Sequence, residues 1–276
     1  GKGVVVTTDR DVALNHAMAC ERVVIEQFLE GPEVSLFVVT DGETAYPLLP
    51  AQDFKRIGDN DAGPNTGGMG AYCPLPWAPT DLTDYAMSAV VHPTLEQMCL
   101  AGTPFSGLLY VGLALTSLGP KVVEFNARFG DPESEVVLPL LKTPLAGLFY
   151  AAATGTLSQH PPLQWREEAA VTVVLASRGY PESAEKGVVI TGPVQRSGDG
   201  YVFHAGTTRG SDDRLVTNGG RVLAVTGVGS DLSAARKRAY EVVRTIEFDG
   251  AQYRTDIAAK AADAELAAAV VGVAAR

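Results

Sequence analysis

The chain has 276 residues, of which 46% are hydrophobic and 20% charged, ordinary values for a globular protein with a sizeable core. Its formal net charge of −10 argues against non-specific nucleic-acid binding, which needs a basic surface. Its three cysteines form no CxxC pair and no stretch approaches the ~20 apolar residues of a membrane span, which disfavours zinc sites, disulfide frameworks and membrane proteins. We therefore expect a cytoplasmic enzyme.

The first fifty residues predict short elements of both kinds. Thr8 or Asp9 can cap a helix that starts just after them, because both side chains accept hydrogen bonds from free N–H groups. Asp41-Gly42 between two β-rich segments is a strong hairpin signal. We predict a helix at Asp11–Ala19 and strands at Val4–Val6, Arg22–Phe28, Val34–Thr40 and Thr44–Leu49.

Residues 50–80 contain much Gly, Pro and Asn but no periodic pattern, which predicts a long loop. Such a loop inside a compact domain is usually functional. The polar, proline-bearing stretch Gly155–Trp165 is a candidate domain boundary. We predict helices at Asp81–Leu100, Ser134–Leu141, Leu145–Thr154 and Leu232–Ile246, strands at Gly107–Ser117, Lys121–Asn126, Ala169–Ala176, Tyr201–Ala205 and Arg221–Gly227, and a helical tail.

An acidic, strand-like segment runs into a Gly-Pro turn at Glu26–Glu33. Extended backbone with free N–H and C=O groups can pair with the edge of an adenine, and an acidic side chain nearby can accept hydrogen bonds from ribose hydroxyls. A strand followed by a surface turn explains the same residues. The segment alone therefore leaves both interpretations open.

The predicted loop contains a glycine-rich run preceded by two basic residues. Lys55 and Arg56 lead to Gly63-Pro64-Asn65-Thr66-Gly67-Gly68-Met69-Gly70-Ala71. Glycines allow backbone amides to approach and wrap an anion, and the two cations add positive charge beside them. A flexible linker is the alternative, but linkers are polar and repetitive, whereas this run is varied. The pattern favours a phosphate-binding loop.

The run Val122–Glu133 joins an apolar strand to candidate metal ligands. In an extended strand Glu124, Asn126 and Arg128 share one side, because side chains alternate between faces. A carboxylate and an amide oxygen followed by a guanidinium suit a magnesium-bound polyphosphate, since Mg²⁺ prefers hard oxygen ligands. A half-buried strand with one face in water is the alternative.

These motifs together resemble the glycinamide ribonucleotide synthetase (phosphoribosylamine–glycine ligase) family of ATP-grasp enzymes. The resemblance is carried by Gln52–Tyr72 and Val123–Glu133, and by Val202–Thr207 and Thr217–Leu223, which are similar to the family's C-terminal domain. It extends from Gly1 to about residue 258. The family's N-terminal domain and the first strands of its ATP-binding subdomain have no counterpart here, so we expect the sequence as given to lack phosphoribosylamine binding.

The resemblance implies an α+β chain, with an ATP-grasp fold incomplete at its N-terminus and then a small, mostly β C-terminal domain with a packed helix. The implied divisions are residues 1–26 as a remnant of the ATP-grasp lid, 27–158 as the metal and substrate subdomain, 159–258 as the C-terminal domain and 259–276 as a helical tail.

The resemblance also implies roles for individual residues. Glu124 and Asn126 would hold Mg²⁺ or Mn²⁺, and Arg128, Lys55 and Arg56 would be catalytic. An adenine hinge at Glu26–Leu29, the ribose-binding Glu33 and the phosphate-covering Lys2 would contact ATP. The glycine-rich loop and two aspartates would contact the substrates. The nucleotide-binding residues are Lys2, Glu26, Gln27, Phe28, Leu29 and Glu33, and the substrate-binding residues are Asp53, Pro64, Asn65, Thr66, Gly67, Gly68, Met69, Gly70 and Asp131.

The implied reaction joins glycine to 5-phosphoribosylamine with ATP as co-substrate, through glycyl phosphate, in de novo purine synthesis. The implied partners are these small molecules, with no nucleic acid and no membrane, and the implied state is a monomer or weak homo-oligomer. Another ATP-grasp carboxylate–amine ligase and a non-catalytic nucleotide-binding fragment are the alternatives. The intact glycine-rich loop argues against the first, and the intact ligand residues argue against the second.

Overall fold

The structure, a computed structural model, describes residues 4–194 and 200–274. Helices and antiparallel sheets alternate along this part of the chain, which confirms the α+β class. The helices are α1 (Arg10–Met18), α2 (Leu82–Ala86), α3 (His92–Leu100), α4 (Ser134–Val137), α5 (Leu145–Ala153), α6 (Leu232–Val243) and α7 (Ala259–Ala274). The strands are β1 (Glu33–Thr40), β2 (Ala45–Pro47), β3 (Gln52–Asp53), β4 (Arg56–Gly58), β5 (Ala62–Asn65), β6 (Gly70–Cys73), β7 (Gly107–Thr116), β8 (Gly119–Asn126), β9 (Ala169–Ala176), β10 (Gly200–His204), β11 (Thr207–Arg209), β12 (Leu215–Thr217) and β13 (Arg221–Gly229).

The N-terminal helix forms as predicted, but its neighbours are not strands. Asp9 caps α1, because its carboxylate accepts hydrogen bonds from the N–H groups of Asp11 (2.8 Å) and Val12 (3.2 Å). The predicted strands at Val4–Val6 and Arg22–Phe28 are wrong. A strand needs a neighbour for its backbone groups, and no described strand pairs with either segment.

The first sheet has the order β2-β1-β7-β8 and is antiparallel throughout. The hairpin predicted at Asp41-Gly42 forms, with Thr40 opposite Ala45, and β7 and β8 form a second hairpin. Side chains on the two faces of the sheet enter separate buried clusters. Leu36 and Val111 belong to the cluster that includes residues of α2 and α3, whereas Phe37 and Tyr110 belong to the cluster that includes residues of α5.

The second sheet has the order β10-β13-β9-β6-β3, so it joins strands from both sides of residue 159. Helix α6 packs on β13 and β9, and α7 packs on α6, which confirms the packed helix and the helical tail. Gly227 lies against the backbone of α6, where a Cβ would overlap the carbonyl of Ala235. The division of the chain at residue 159 stays a prediction.

The predicted long loop over residues 50–80 is wrong, because it contains four short strands. Each has only two to four residues, too few for a recognisable period in the sequence. Besides β3, strand β6 pairs with β9, with Gly70 opposite Val173, and this pairing is far from local. Strands β11 and β12 escaped prediction for the same reason of length.

The remaining predicted helices form with small differences in their bounds. Residues 82–100 are helical throughout, with a wider turn at Met87–Val91 between α2 and α3. Helix α4 gives way to a tighter turn at Leu138–Leu140, where Pro139 has no N–H to continue the helix. Among the described helices, none combines the length and apolar character that crossing a bilayer requires.

Candidate ATP and metal site

Glu124 and Asn126 lie side by side on one face of β8, the edge strand of the first sheet. Glu124 is opposite Gly112 of β7, and Asn126 is opposite Tyr110. A bulge precedes Glu124, but the two residues after it keep the alternation that the sequence predicts. A Cβ on Gly112 would lie 3.4 Å from Cγ of Glu124, so the glycine leaves the space across which the Glu124 side chain extends.

The oxygens of this pair have no competing protein partner in the described parts of the chain. No hydrogen bond or ion pair engages the side chain of Glu124 or Asn126 there. A carboxylate and an amide oxygen are hard donors that fit Mg²⁺ or Mn²⁺. Across residues 4–194 and 200–274 no cluster of three or more His, Cys, Asp and Glu could hold a metal alone, so phosphate oxygens or water would complete the coordination. The chemistry of Glu124 and Asn126 fits a divalent metal, and their assignment as its ligands stays a prediction.

A cluster of three charged side chains lies where β1 begins. Nζ of Lys55 contacts Oε2 of Glu33 and lies 3.2 Å from Oδ1 of Asp53. Burial lowers the pKa of Lys55, but the carboxylates of Asp53 and Glu33 outweigh burial and hold this pKa above its ordinary value. Lys55 is therefore a fixed cation, and its side chain remains 40% exposed, open to an anionic ligand.

A buried carboxylate that sequence reasoning missed lies beneath this cluster. Glu133 is 5% exposed, and its Oε1 accepts hydrogen bonds from the hydroxyls of Ser35 (2.9 Å) and Tyr110 (3.3 Å). Burial, and then the charge of Asp53, raise the pKa of Glu133. Strand pairing brings Ser35 and Tyr110 to the same sheet face, and Glu133 reaches them from the segment between β8 and α4, so no local signal could have found the network.

The backbone amides of the glycine-rich loop form hydrogen bonds within the protein. Four consecutive N–H groups donate within the protein, to the Lys55 carbonyl, the Tyr180 hydroxyl, the Thr66 hydroxyl and the Phe54 carbonyl. These donors belong to Thr66, Gly67, Gly68 and Met69. None of these four amides is free in this structure, and the expectation that the loop binds a phosphate stays a prediction. The substrate-binding assignment of residues 64–70 stays a prediction.

The loop side chains differ in exposure. Met69 is fully buried and packs in the core, while Pro64 and Asn65 are exposed on β5. Gly70 begins β6 and pairs with β9. Any ligand contact of this segment therefore uses exposed atoms near Asn65 and Thr66 and not the Met69 side chain.

Arg56 and Arg128 are exposed and do not join Lys55 in its charged cluster. Nη1 of Arg56 donates to the Gly63 carbonyl (2.8 Å), which closes the β4–β5 hairpin. Nη1 of Arg128 donates to the Phe129 carbonyl (2.8 Å), just after the end of β8. Of the three predicted catalytic cations, only Lys55 lies in the charged cluster with Glu33.

The predicted adenine hinge has no regular secondary structure and lies just before β1. Within the described residues, the backbone of Glu26–Leu29 makes no hydrogen bond, and Phe28 is 66% exposed. Its N–H and C=O groups are therefore free to pair with a base. Gly31, at φ 152°, follows it against the Leu115 carbonyl, where a Cβ would not fit. Lys2, the predicted phosphate cover, lies outside the described residues.

Arg221 at the start of β13 is a second residue that sequence reasoning missed. Its Nη1 lies 2.6 Å from the carbonyl oxygens of Gly67 and Asp131, and 3.2 Å from Oδ1 of Asp131. The guanidinium thus joins the glycine-rich loop to the turn after β8. The motif that contains Arg221 indicated a C-terminal domain, but nothing in it indicated this contact.

Glu135 gives a pH-dependent prediction for this region. Burial, and then the charge of Asp131, raise the pKa of Glu135 to about 7. Because the folded state favours the protonated acid, the stabilisation present below the ordinary pKa is lost as pH rises to about 7. We expect Glu135→Gln to gain stability relative to wild type between pH 5 and pH 8, by up to about 3 kcal/mol. Urea unfolding at both pH values measures this.

The matched control for Glu135 is Glu167→Gln, which changes an exposed carboxylate. Its stability difference from wild type should be the same at pH 5 and pH 8. An equally flat difference for Glu135→Gln would contradict the assignment.

Family models and individual relatives of this chain indicate the same protein family. Models of the phosphoribosylglycinamide synthetase family match this chain twice, the ATP-grasp (A) domain at residues 1–134 and the C domain at residues 170–260. The phosphoribosylamine–glycine ligase of Streptomyces coelicolor is 61% identical over 268 residues, which are 96% of this chain and 64% of that protein. That of Mycobacterium leprae is 54% identical over 266 residues, 95% of this chain and 62% of the relative.

Solved structures agree with this assignment. The phosphoribosylamine–glycine ligase of Thermotoga maritima superposes with a TM-score of 0.76 at 39% identity, covering 84% of this chain and 57% of that one. The biotin carboxylase domain of a thermophilic 2-oxoglutarate carboxylase has a TM-score of 0.62 at 14% identity, over 82% of this chain and 49% of that one, which shows the shared fold alone. The chain thus spans somewhat less than two thirds of the relatives' length.

The two domain matches follow each other along the chain, and the identity to these relatives extends across both. The chain therefore belongs to the phosphoribosylglycinamide synthetase family and has its ATP-grasp fold.

Proposed function

We propose that this chain serves the ATP-dependent ligation of glycine to 5-phosphoribosylamine, giving glycinamide ribonucleotide, ADP and phosphate. The observation that carries the proposal is the Glu124–Asn126 pair, whose side chains bond to none of the described residues. The pair lies on the same sheet face as the Lys55–Glu33 ion pair, in a chain 61% identical to a phosphoribosylamine–glycine ligase. Cytoplasmic location, small-molecule partners and a monomeric or weakly associating state belong to the same proposal.

The carboxylate of glycine must be activated first, because an amine that attacks a carboxylate would have to expel oxide, which is too poor a leaving group. In the first step a glycine carboxylate oxygen bonds to the γ-phosphorus of ATP while the bond to ADP breaks. In the second the amine attacks the glycyl carbonyl, phosphate leaves, and the amine loses a proton as the amide forms. Phosphoryl transfer asks the protein mainly for positioning and charge stabilisation, and no covalent nucleophile is required.

The residues divide between the nucleotide and the acceptor. Glu26–Leu29 would present free backbone groups to adenine, and Glu33 would accept from the ribose hydroxyls with the oxygen that Lys55 leaves open. Lys55, held protonated by its two carboxylates, would lie beside the phosphates. A divalent ion on Glu124 and Asn126 would neutralise phosphate charge when bound. Arg128, Arg56, Asp53, Asp131 and the exposed part of residues 64–70 would face the transferred phosphoryl and the acceptor.

The proposal is tested by measuring glycinamide ribonucleotide formed from ATP, glycine and phosphoribosylamine. The 276-residue chain is assayed alone and joined to the part of the Streptomyces coelicolor relative that it does not match. Product that depends on all three substrates supports the proposal. Phosphate release with other amines only would favour another ATP-grasp ligase, and nucleotide binding without turnover would favour a non-catalytic module.

Glu33→Ala should raise the KM for ATP roughly ten-fold, with a smaller change in kcat. The rise in KM corresponds to the loss of one hydrogen bond to a charged group. The physical reason is that a ribose contact is made equally in the ground state and the transition state. Glu30→Ala, which removes an exposed carboxylate three residues earlier, is the control. A collapse of kcat with an unchanged KM for ATP would exclude the ribose role and point to the Lys55 contact instead.

A further inference from the structure

Arg221 reaches from the C-terminal part of the chain into two segments that carry predicted substrate residues. Arg221 is the first residue of β13 in the second sheet, where it lies opposite Ala176 of β9. Its Nη1 contacts the carbonyls of Gly67 and Asp131, and a further distance of 3.4 Å separates it from the Gly68 carbonyl. One guanidinium therefore fixes the spacing between the glycine-rich loop and the turn after β8.

The loop sequence is fitted to this guanidinium. A Cβ on Gly67 would lie 3.0 Å from Cζ of Arg221, and a Cβ on Gly68, where φ is 112°, would overlap the Pro132 ring. The two glycines thus allow Arg221 and the Pro132 turn to approach the loop backbone. This explains a Gly-Gly pair whose N–H groups are already used inside the protein.

The contact also reaches Lys55 through the loop backbone. The hydroxyl of Tyr180, another residue of the C-terminal part, accepts from the Gly67 N–H (2.9 Å). The preceding residue, Thr66, donates its N–H and its hydroxyl to the Lys55 carbonyl, at 2.7 and 2.8 Å. Thr66 therefore joins the loop to the backbone of Lys55, while the Lys55 ammonium keeps its own contacts with Glu33 and Asp53.

We propose that Arg221 is a positioning residue for the acceptor side of the site, acting through the Gly67–Gly68 carbonyls and the Asp131 turn. It does not touch the hinge or the metal pair in the described structure, so its effect should fall on glycine and not on ATP. This inference rests on the proposed function for its kinetic part. Its structural part, control of the loop backbone, can be tested without turnover.

The test compares Arg221→Ala, Arg221→Lys and Tyr180→Phe with wild type, in the chain joined to the unmatched part of the Streptomyces coelicolor relative. Arg221→Ala should speed hydrogen exchange at the Gly67 and Gly68 amides and raise the KM for glycine, each at least about ten-fold. The KM for ATP should stay within about two-fold. Arg221→Lys should raise the KM for glycine less than Arg221→Ala does, because an ammonium can still reach one of the two carbonyls. Tyr180→Phe should speed exchange at Gly67 alone.

Arg209→Ala is the matched control, since that exposed arginine pairs with Asp213 on the β11–β12 hairpin, away from the loop. Unchanged exchange and unchanged glycine KM in Arg221→Ala would overturn the proposal. Equal rises in the KM values for ATP and glycine would also overturn it, because they would indicate a general loss of structure. A wild-type protein without ligase activity would refute the proposed function, while the exchange rates would still decide whether Arg221 holds the loop.

Discussion

Glu124→Gln is expected to lower turnover by at least about 100-fold at saturating magnesium, by analogy with the loss of one preorganised transition-state contact. Glutamine keeps the size of the side chain but removes the charge that would neutralise a cation on the ATP phosphates. Folding should change little, because Glu124 is exposed and makes no described hydrogen bond. Initial rates of product formation, with ATP and glycine saturating, measure the effect.

Two further variants make this test specific to the metal pair. Asn126→Ala removes the second oxygen and should show a loss of the same kind, partly recovered at higher magnesium or manganese concentration. Glu96→Gln, on the exposed side of α3, is the charge-matched control and should behave as wild type. Wild-type rates in both Glu124→Gln and Asn126→Ala would exclude these residues as metal ligands.

Arg254→Ala is expected to lower the free energy of unfolding by about 3 kcal/mol, because it removes a buried side chain whose guanidinium is shared by two partly exposed carboxylates. The Arg254 side chain is 1% exposed and donates to Asp61 (2.7 Å), to both carboxylate oxygens of Asp256 (2.7 Å each) and to the Arg56 carbonyl (3.2 Å). Its guanidinium also lies 4.8 Å from the centre of the Phe54 ring. Removing it leaves a cavity, an unsatisfied carbonyl and two carboxylates without their cation.

Urea unfolding at pH 7 measures this change, with Lys237→Ala on the exposed side of α6 as the control. Arg254→Lys should fall between alanine and wild type, because an ammonium cannot make the paired contact with Asp256. A loss below about 1 kcal/mol would mean that the network behaves as a surface ion pair does. The hairpin that Arg254 holds carries Arg56 and leads into the glycine-rich loop, so activity should fall with stability.

The strongest local patterns in the sequence determined most of the first sheet. Asp41-Gly42 is specific for a tight turn, and the strands beside it are long enough to show β-rich composition, so the hairpin could be predicted. The period-2 alternation likewise placed Glu124 and Asn126 on one face, and the bulge before them did not disturb their relation. These features depend on neighbours within a few residues, and the sequence contains that information.

The tertiary structure decided how the site is assembled. Strands of two to four residues carry no period, so β3 and β6 become visible only when they pair with each other and β6 with the distant β9. Glu133 meets Ser35 and Tyr110 from the segment after β8, and Arg221 meets the glycine-rich loop from more than 150 residues away. The glycine-rich run indicated a close approach to the loop backbone, and the fold shows that a guanidinium from the C-terminal sheet lies against it. Buried polar contacts of this kind depend on non-local geometry, since each group must find its partner wherever the chain brings one within hydrogen-bonding distance.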